Sequence, residues 1–235
     1  MIKTAMVLAA GHGTRMRPLT NDRAKAMVEV GGKPLIDHML DRLQAASIER
    51  AVVNVHAHAD HLEAHLRARK RGPEIIISDE RDLLLETGGG MVKALPLLGD
   101  DPVLACNIDA IWMENDAPVI ESLIERWDAD VMDDLLLLAP LEQTLGYHGK
   151  GDFLFGYDGR LERRGDRDAA PYVYAGVQIT KLDRLAKEPI EPFSRNRIWN
   201  KTLEARTIFG CPMDGFWMHV GDPQARDEAE AILKK

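Results

Sequence analysis

The sequence is poor in the residues that would commit it to a special environment. Among 235 residues only Cys106 and Cys211 are cysteines. Two thiols build neither a disulfide framework nor a cysteine-rich zinc site, since structural zinc takes four ligands. Both read as packing residues in a reducing compartment. No apolar run approaches the roughly 20 residues of a membrane-spanning helix, so no membrane partner is expected. The opening Met1-Ile2-Lys3-Thr4 leads into an apolar strand without a secretory apolar region, which makes the cytoplasm the expected location. Basic charge is in deficit: 30 Lys and Arg against 38 Asp and Glu leave a formal charge of −8. That balance opposes nucleic acid and anionic membranes as partners. An anionic substrate must therefore be met by local cations. Linkers, repeats and low-complexity segments are lacking too, so a single domain over residues 1–235 is expected.

What is present in the first half is an alternation of two periods. Ala5-Met6-Val7-Leu8-Ala9 is an almost continuous apolar run, the pattern of a strand covered on both faces. After Pro34, Leu35, Ile36, Met39, Leu40 and Leu43 fall at helical spacing. Strands at 51–55, 75–77 and 103–106 then alternate with helices at 58–70, 87–97 and 117–127. This β-α order predicts an α/β fold with a parallel sheet flanked by helices and a ligand crevice at the carboxyl ends of its strands. From about residue 131 the pattern becomes mixed. It offers strands at 135–138, 173–180 and 216–220, a hairpin from Phe153 to Arg163 turned at Asp158-Gly159, and a closing helix over 223–234. Residues 1–130 read as a nucleotide-binding half and 131–235 as a half that binds the second substrate.

The chemistry begins where the first strand ends, in Gly11-His12-Gly13-Thr14-Arg15-Met16-Arg17-Pro18-Leu19-Thr20. A dinucleotide fingerprint needs a small residue where Met16 stands, and a P-loop needs Gly-Lys-Ser/Thr, which is absent. The loop still carries Arg15 and Arg17, with Lys25 beyond, in an acidic chain. Such cations can hold a triphosphate. Histidines 12, 56, 58, 61 and 65 hint at a metal cluster but read as solvated.

From Leu8-Ala9-Ala10-Gly11 through Thr20, with Lys25, Val28 and Gly32-Lys33-Pro34-Leu35-Ile36, the chain resembles the sugar-1-phosphate nucleotidyltransferases. The resemblance continues in Glu86-Thr87-Gly88-Gly89-Gly90, Asn107-Ile108-Asp109, Gly151-Asp152-Phe153 and Gly215-Phe216-Trp217-Met218-His219-Val220-Gly221. Within that family the short length and Leu-Glu-Thr-Gly-Gly-Gly are most similar to the N-acetylmuramate α-1-phosphate uridylyltransferases of cell-wall recycling. The resemblance implies a Rossmann-like fold around a mostly parallel mixed sheet. It also implies Mg²⁺ as cofactor, with a nucleoside triphosphate and a sugar 1-phosphate as substrates.

It further implies roles for single residues. Arg15, Lys25 and Asp109 would be catalytic, and Ala9, Ala10, Gly11, Gly13, Thr14, Thr87 and Gly88 would bind the nucleotide, with Glu80 at the base edge. Gly151 and Asp152 would bind the sugar, while Asp109 and His219 would bind the metal. Two positions depart from the family pattern. Ala24 stands where proline is common, and His219 where Trp-x-Asp-Val-Gly supplies a carboxylate, so His219, a water or Asp222 would complete the metal site. The family's Glu-Lys pair for the sugar phosphate has no counterpart around Leu161-Glu162-Arg163-Arg164, and Asn196, Trp199 and Asn200 have no assigned place. Mannose-1-phosphate guanylyltransfer and cytidylyl transfer to a phospho-alcohol are alternative reactions within the family, and a non-catalytic nucleotide-sugar sensor is the alternative outside it.

Overall fold

The computed structural model describes residues 2–99 and 102–234. β1 (Thr4–Leu8) runs into the glycine-rich loop, which is followed by a two-stranded ribbon of β2 (Glu29–Val30) and β3 (Lys33–Pro34). Then α1 (Leu35–Ala45), β4 (Arg50–Val55), α2 (Ala59–Ala68), β5 (Glu74–Asp79), α3 (Glu86–Leu98) and β6 (Val103–Asn107) alternate. β4 and β6 flank β1 in parallel, and β5 lies parallel to β4. Ala5, Met6 and Val7 are wholly buried, as a strand covered on both faces requires. The apolar stripe of α1 is likewise buried from Leu35 to Leu43.

The chain continues with β7 (Ala110–Glu114) and α4 (Val119–Arg126). It enters the second half through β8 (Asp134–Pro140), β9 (Thr144–Leu145), β10 (Phe153–Phe155), β11 (Leu161–Arg163) and β12 (Tyr172–Thr180). It closes with α5 (Asn196–Glu204), β13 (Ile208–Pro212), β14 (Gly215–His219) and α6 (Pro223–Leu233). β12 joins the halves. It runs antiparallel to β6 along Val177–Thr180 and antiparallel to β8 along most of its length, and its first residue pairs with Phe153 of β10. The sheet is therefore mixed: β1, β4, β5 and β6 are mutually parallel, and in the second half β13 runs parallel to β8. β14 lies between β7 and β9 in a smaller sheet. One apolar core takes Val7, Val53 and Cys106 together with Leu137, Val177 and Trp217, so both halves share it.

Besides the two-residue strands β2, β3 and β9, three elements were not expected from the sequence. Residues 110–114 form β7 because Ala110 to Glu114 pair with β14, a partner more than a hundred residues away. β13 carries Gly210 at its centre and Pro212 at its end, residues that weaken a strand signal. A Cβ on Gly210 would lie 2.7 Å from Leu138, Leu161 and Phe155, so the glycine is there to admit them. α5 is mostly polar and buries only Ile198, Trp199 and Thr202.

Candidate active site

The carboxyl ends of β1 and β6 and the start of α3 enclose a cavity of about 320 Å³. A second cavity of about 480 Å³ opens between the end of β6, the first half of β12 and the start of α5. Both are lined by Leu8, Thr87, Asn107 and Asp109, so they form one cleft with Asp109 at the join.

Ala9, Ala10 and Gly11 line the first cavity. The amides of Ala9 and Ala10 both donate to Asn54 Oδ1, at 2.7 and 3.2 Å, so these two N–H groups are held within the protein. Asn54 Nδ2 in turn donates to Glu80 Oε1 at 2.7 Å, and Glu80 Oε2 accepts from the Leu85 amide at 3.0 Å. Glu80 is fully buried. It therefore stands behind the cavity wall and not at a base edge, with both oxygens already used. An Asn54 in the run Ala51-Val52-Val53-Asn54-Val55 is the sequence signal for this arrangement, since a polar side chain on a buried strand needs partners.

Gly88 also lies outside the cavity wall. Its amide donates to the Phe193 carbonyl at 2.8 Å, and a Cβ there would run into the Phe193 ring. Burial against this segment leaves it no face for a nucleotide. Thr87 keeps its place in both cavities, with its Oγ1 accepting from the Arg195 amide at 2.9 Å. Gly13 and Thr14 shape the loop without lining the cleft. Gly13 has φ +62°, and a Cβ would sit 2.9 Å from Lys25 Cβ, so glycine lets the loop fold onto that lysine.

At the join, Lys25 Nζ lies 2.6 Å from Asp109 Oδ2, with the two side chains 12% and 19% exposed. His219 Nε2 approaches the same oxygen at 3.4 Å, and its Nδ1 is 3.4 Å from the Gly146 carbonyl. Burial alone would raise the Asp109 carboxyl, but the Lys25 ammonium and the His219 imidazole outweigh it and hold the group well below the usual carboxylate range. Arg15 is exposed, lines the second cavity, and has no ion-pair partner among the described residues. Asp222 caps α6 by accepting from the Ala225 amide at 2.9 Å, so its carboxylate serves the helix. Among the described residues no three His, Cys, Asp or Glu side chains gather as a metal cage, and the histidines of α2 form none. His56 and His65 are tied to the Glu80 carbonyl and to Asp37. Asp109 is thus the hard oxygen donor of the site. A single carboxylate suits Mg²⁺ where substrate phosphates and water supply the remaining ligands. The His219 imidazole is a softer donor.

On the other side of the join, Asp152 lines the second cavity, its Oδ1 accepting from Tyr147 Oη at 3.2 Å and its Oδ2 from the Tyr174 amide at 3.0 Å. Gly151 lies behind it in a turn at φ +80°, where a Cβ would meet the Ala170 carbonyl. Tyr174 and Trp199 meet edge to face at 4.8 Å and offer apolar surface. Under them Arg195 pairs with Asp134 at 3.0 Å, and Gln178 bridges Asp134 to the Trp199 indole. Arg163 also enters this cavity, over the rings of Phe153 and Trp199. Its position follows from strand alternation: Leu161 is buried, Glu162 exposed, and Arg163 returns to the inner face.

Comparison with known proteins agrees with this geometry. The family model described as Nucleotidyl transferase matches residues 4–130. The chain is 53% identical to an N-acetylmuramate alpha-1-phosphate uridylyltransferase of Caulobacter vibrioides, over 98% of this chain and 97% of that one. It is 26% identical to the mannose-1-phosphate guanylyltransferase catalytic subunit beta of Drosophila pseudoobscura pseudoobscura, over 94% of this chain and 59% of that protein. In fold it matches an apo UDP-glucose pyrophosphorylase with a TM-score of 0.82 at 16% identity, covering 100% of this chain and 98% of the other.

Proposed function

The chain belongs to the nucleotidyl transferase family, and on that premise we propose that it transfers uridylate from UTP to N-acetylmuramate 1-phosphate, forming UDP-N-acetylmuramate and pyrophosphate. The observation that carries the reaction is the Lys25–Asp109 pair at the join of two cavities, one on the loop side and one on the aromatic side. The full-length similarity to the Caulobacter vibrioides uridylyltransferase supports this choice of donor and acceptor. The guanylyltransferase relative is far more distant, and the chain spans only 59% of its length.

In this reading UTP occupies the first cavity, with its base against Ala9, Ala10 and Gly11 and its phosphates toward Arg15 and Lys25. The sugar lies on the Tyr174 and Trp199 side, beside Asp152. A phosphate oxygen of the acceptor attacks the α-phosphorus, the bond to the β-phosphate breaks, and pyrophosphate leaves. No protein nucleophile takes part. Lys25 offsets charge growing around the α-phosphorus, and a cation fixed beforehand is effective because it need not reorganise. Arg15 gathers the triphosphate from the open side of the cleft. A Mg²⁺ ion held by Asp109 would screen the phosphate oxygens and orient the leaving group. His219 approaches the same Asp109 oxygen as Lys25 and helps to orient the carboxylate.

The test is pyrophosphate release with Mg²⁺ across UTP, GTP and CTP against the 1-phosphates of N-acetylmuramate, N-acetylglucosamine and mannose. Release confined to UTP with N-acetylmuramate 1-phosphate is expected. A folded protein silent across the grid with both Mg²⁺ and Mn²⁺ overturns the reading.

A further inference from the structure

Arg163 differs from Arg160, Arg167 and Arg195. On its own strand segment Arg160 pairs with Asp158, and Arg167 lies 3.4 Å from Glu162. Within the cleft, Arg195 is neutralised by Asp134. Arg163 instead donates through one nitrogen, Nη2, to two neutral amide oxygens, Asn196 Oδ1 at 2.7 Å and Asn200 Oδ1 at 3.1 Å. These asparagines stand one turn apart on α5 and so face the guanidinium together. Phe153 and Trp199 hold its face at 5.2 and 5.6 Å. It has no carboxylate partner among the described residues. The N–H groups on Nε and Nη1 remain open, each able to donate one charge-assisted hydrogen bond to a carboxylate oxygen.

The fold also sets where this cation lies. Arg163 is on β11, which is separated by β10 and β12 from β6, the strand that leads into Asp109. Three steps between neighbouring strands span roughly 14 Å. Arg163 thus faces the same cavity as Asp109 from its distant end. The reacting phosphate belongs beside Lys25 and Asp109, so a cation at the other end meets a different part of the acceptor. N-acetylmuramate is a sugar acid, and its carboxylate hangs from the ring away from the anomeric phosphate.

We propose that Arg163, held in place by Asn196 and Asn200, selects the acceptor by binding the carboxylate of its sugar acid. This inference rests on the reaction proposed above. A half-buried guanidinium without an anionic partner is an unfavourable arrangement, which an incoming carboxylate relieves and a neutral sugar leaves standing. Burial lowers the affinity of Arg163 for its proton by more than the Asp152 carboxylate, which lines the same cavity without pairing with it, restores. Discrimination against acceptors that lack the acid follows from one residue.

The experiment compares initial rates with N-acetylmuramate 1-phosphate and its carboxamide, a neutral analogue of nearly the same shape. Wild type is expected to favour the acid in kcat/KM by roughly 30- to 100-fold, the scale of a charge-assisted hydrogen-bonded pair. In Arg163→Met the ratio is expected to fall to about one-fold, whereas Arg163→Lys keeps part of it. Asn200→Asp, which supplies Arg163 with an internal counter-charge, is expected to turn the preference toward the amide. Equal use of both acceptors by wild type overturns the proposal without any variant, and so does an unchanged ratio in Arg163→Met. Wild type that uses neither acceptor but turns over another sugar phosphate overturns the proposed reaction and this inference together. Use of the acid with an unchanged variant ratio overturns the inference alone.

Discussion

Lys25 and Asp109, 84 positions apart, meet as an ion pair at 2.6 Å where the two cavities join. The turn at Gly13 packs against Lys25, since a Cβ there would sit 2.9 Å from Lys25 Cβ. Removing the ammonium by Lys25→Met is expected to lower kcat by about 10²- to 10³-fold while moving the KM for UTP much less. Steady-state rates at saturating acceptor measure this. A loss confined to KM would show that Lys25 only gathers substrate.

The relay from Glu80 through Asn54 to Ala9 and Ala10 predicts a second kind of defect. Glu80→Gln places an amide nitrogen against a donor, so one buried hydrogen bond is lost and a polar group is left unsatisfied. The expected cost is about 1–3 kcal/mol in denaturant unfolding. The KM for UTP is expected to rise as the loop loosens, with kcat changed less.

Gly88→Ala tests a packing role. The added methyl meets the Phe193 ring, and the Phe193 carbonyl lies 2.8 Å from where it would sit. A stability loss of about 1–3 kcal/mol is expected from overpacking. Calorimetry should show a lowered Tm even without nucleotide present.

Asp133 makes acid stability predictable. Burial pushes its carboxyl up, but the Thr207 hydroxyl and the Arg184 guanidinium, with Lys181, pull it further down, below the ordinary value of 3.8. A carboxyl that folding makes more acidic contributes stability above its unfolded pKa, and this is lost as pH falls through the folded one. Asp133→Asn is therefore expected to cost about 1 kcal/mol at neutral pH. The gap to wild type should close as the pH falls below 3.8, which urea titrations at several pH values would follow.

Cys106 is wholly buried, and burial pushes its thiol up to about 12. Cys211 is also buried and its thiol is raised for the same reason. Neither is expected to react with maleimide at pH 8 in the folded protein, whereas both should react in denaturant. Rapid labelling of Cys106 in the native chain would mean that the β6 region opens, and of Cys211 that β13 does.

Much of this architecture is legible in the sequence because it depends on local pattern. The apolar run at Ala5–Ala9 and the stripe from Leu35 to Leu43 each became the buried element that their periods imply. What could not be read depends on distant partners. β7 is a strand because of β14, and Gly210 reads as a break until Leu138, Leu161 and Phe155 fill the space above it. The same division runs through the site. The family motifs point to Lys25 and Asp109, and these two side chains meet. They also set Glu80 and Gly88 at the nucleotide, whereas Glu80 is tied to Asn54 and Leu85 and Gly88 packs on Phe193, because a motif marks where a residue stands in the chain and says nothing of which partners have already taken its hydrogen bonds. Arg163 went unassigned since its surroundings come from α5, more than thirty residues later.

β11 is three residues long, follows a tight turn at Asp158-Gly159, and pairs in register only with β10. A change there disturbs little of the shared core. The segment at Ala9 and Ala10, by contrast, is tied through Asn54 and Glu80 into the parallel sheet. Divergence in this architecture can thus revise the choice of acceptor at the margin while the donor machinery stays constant, and duplicated copies could drift to new sugar acids without first losing the ability to fold.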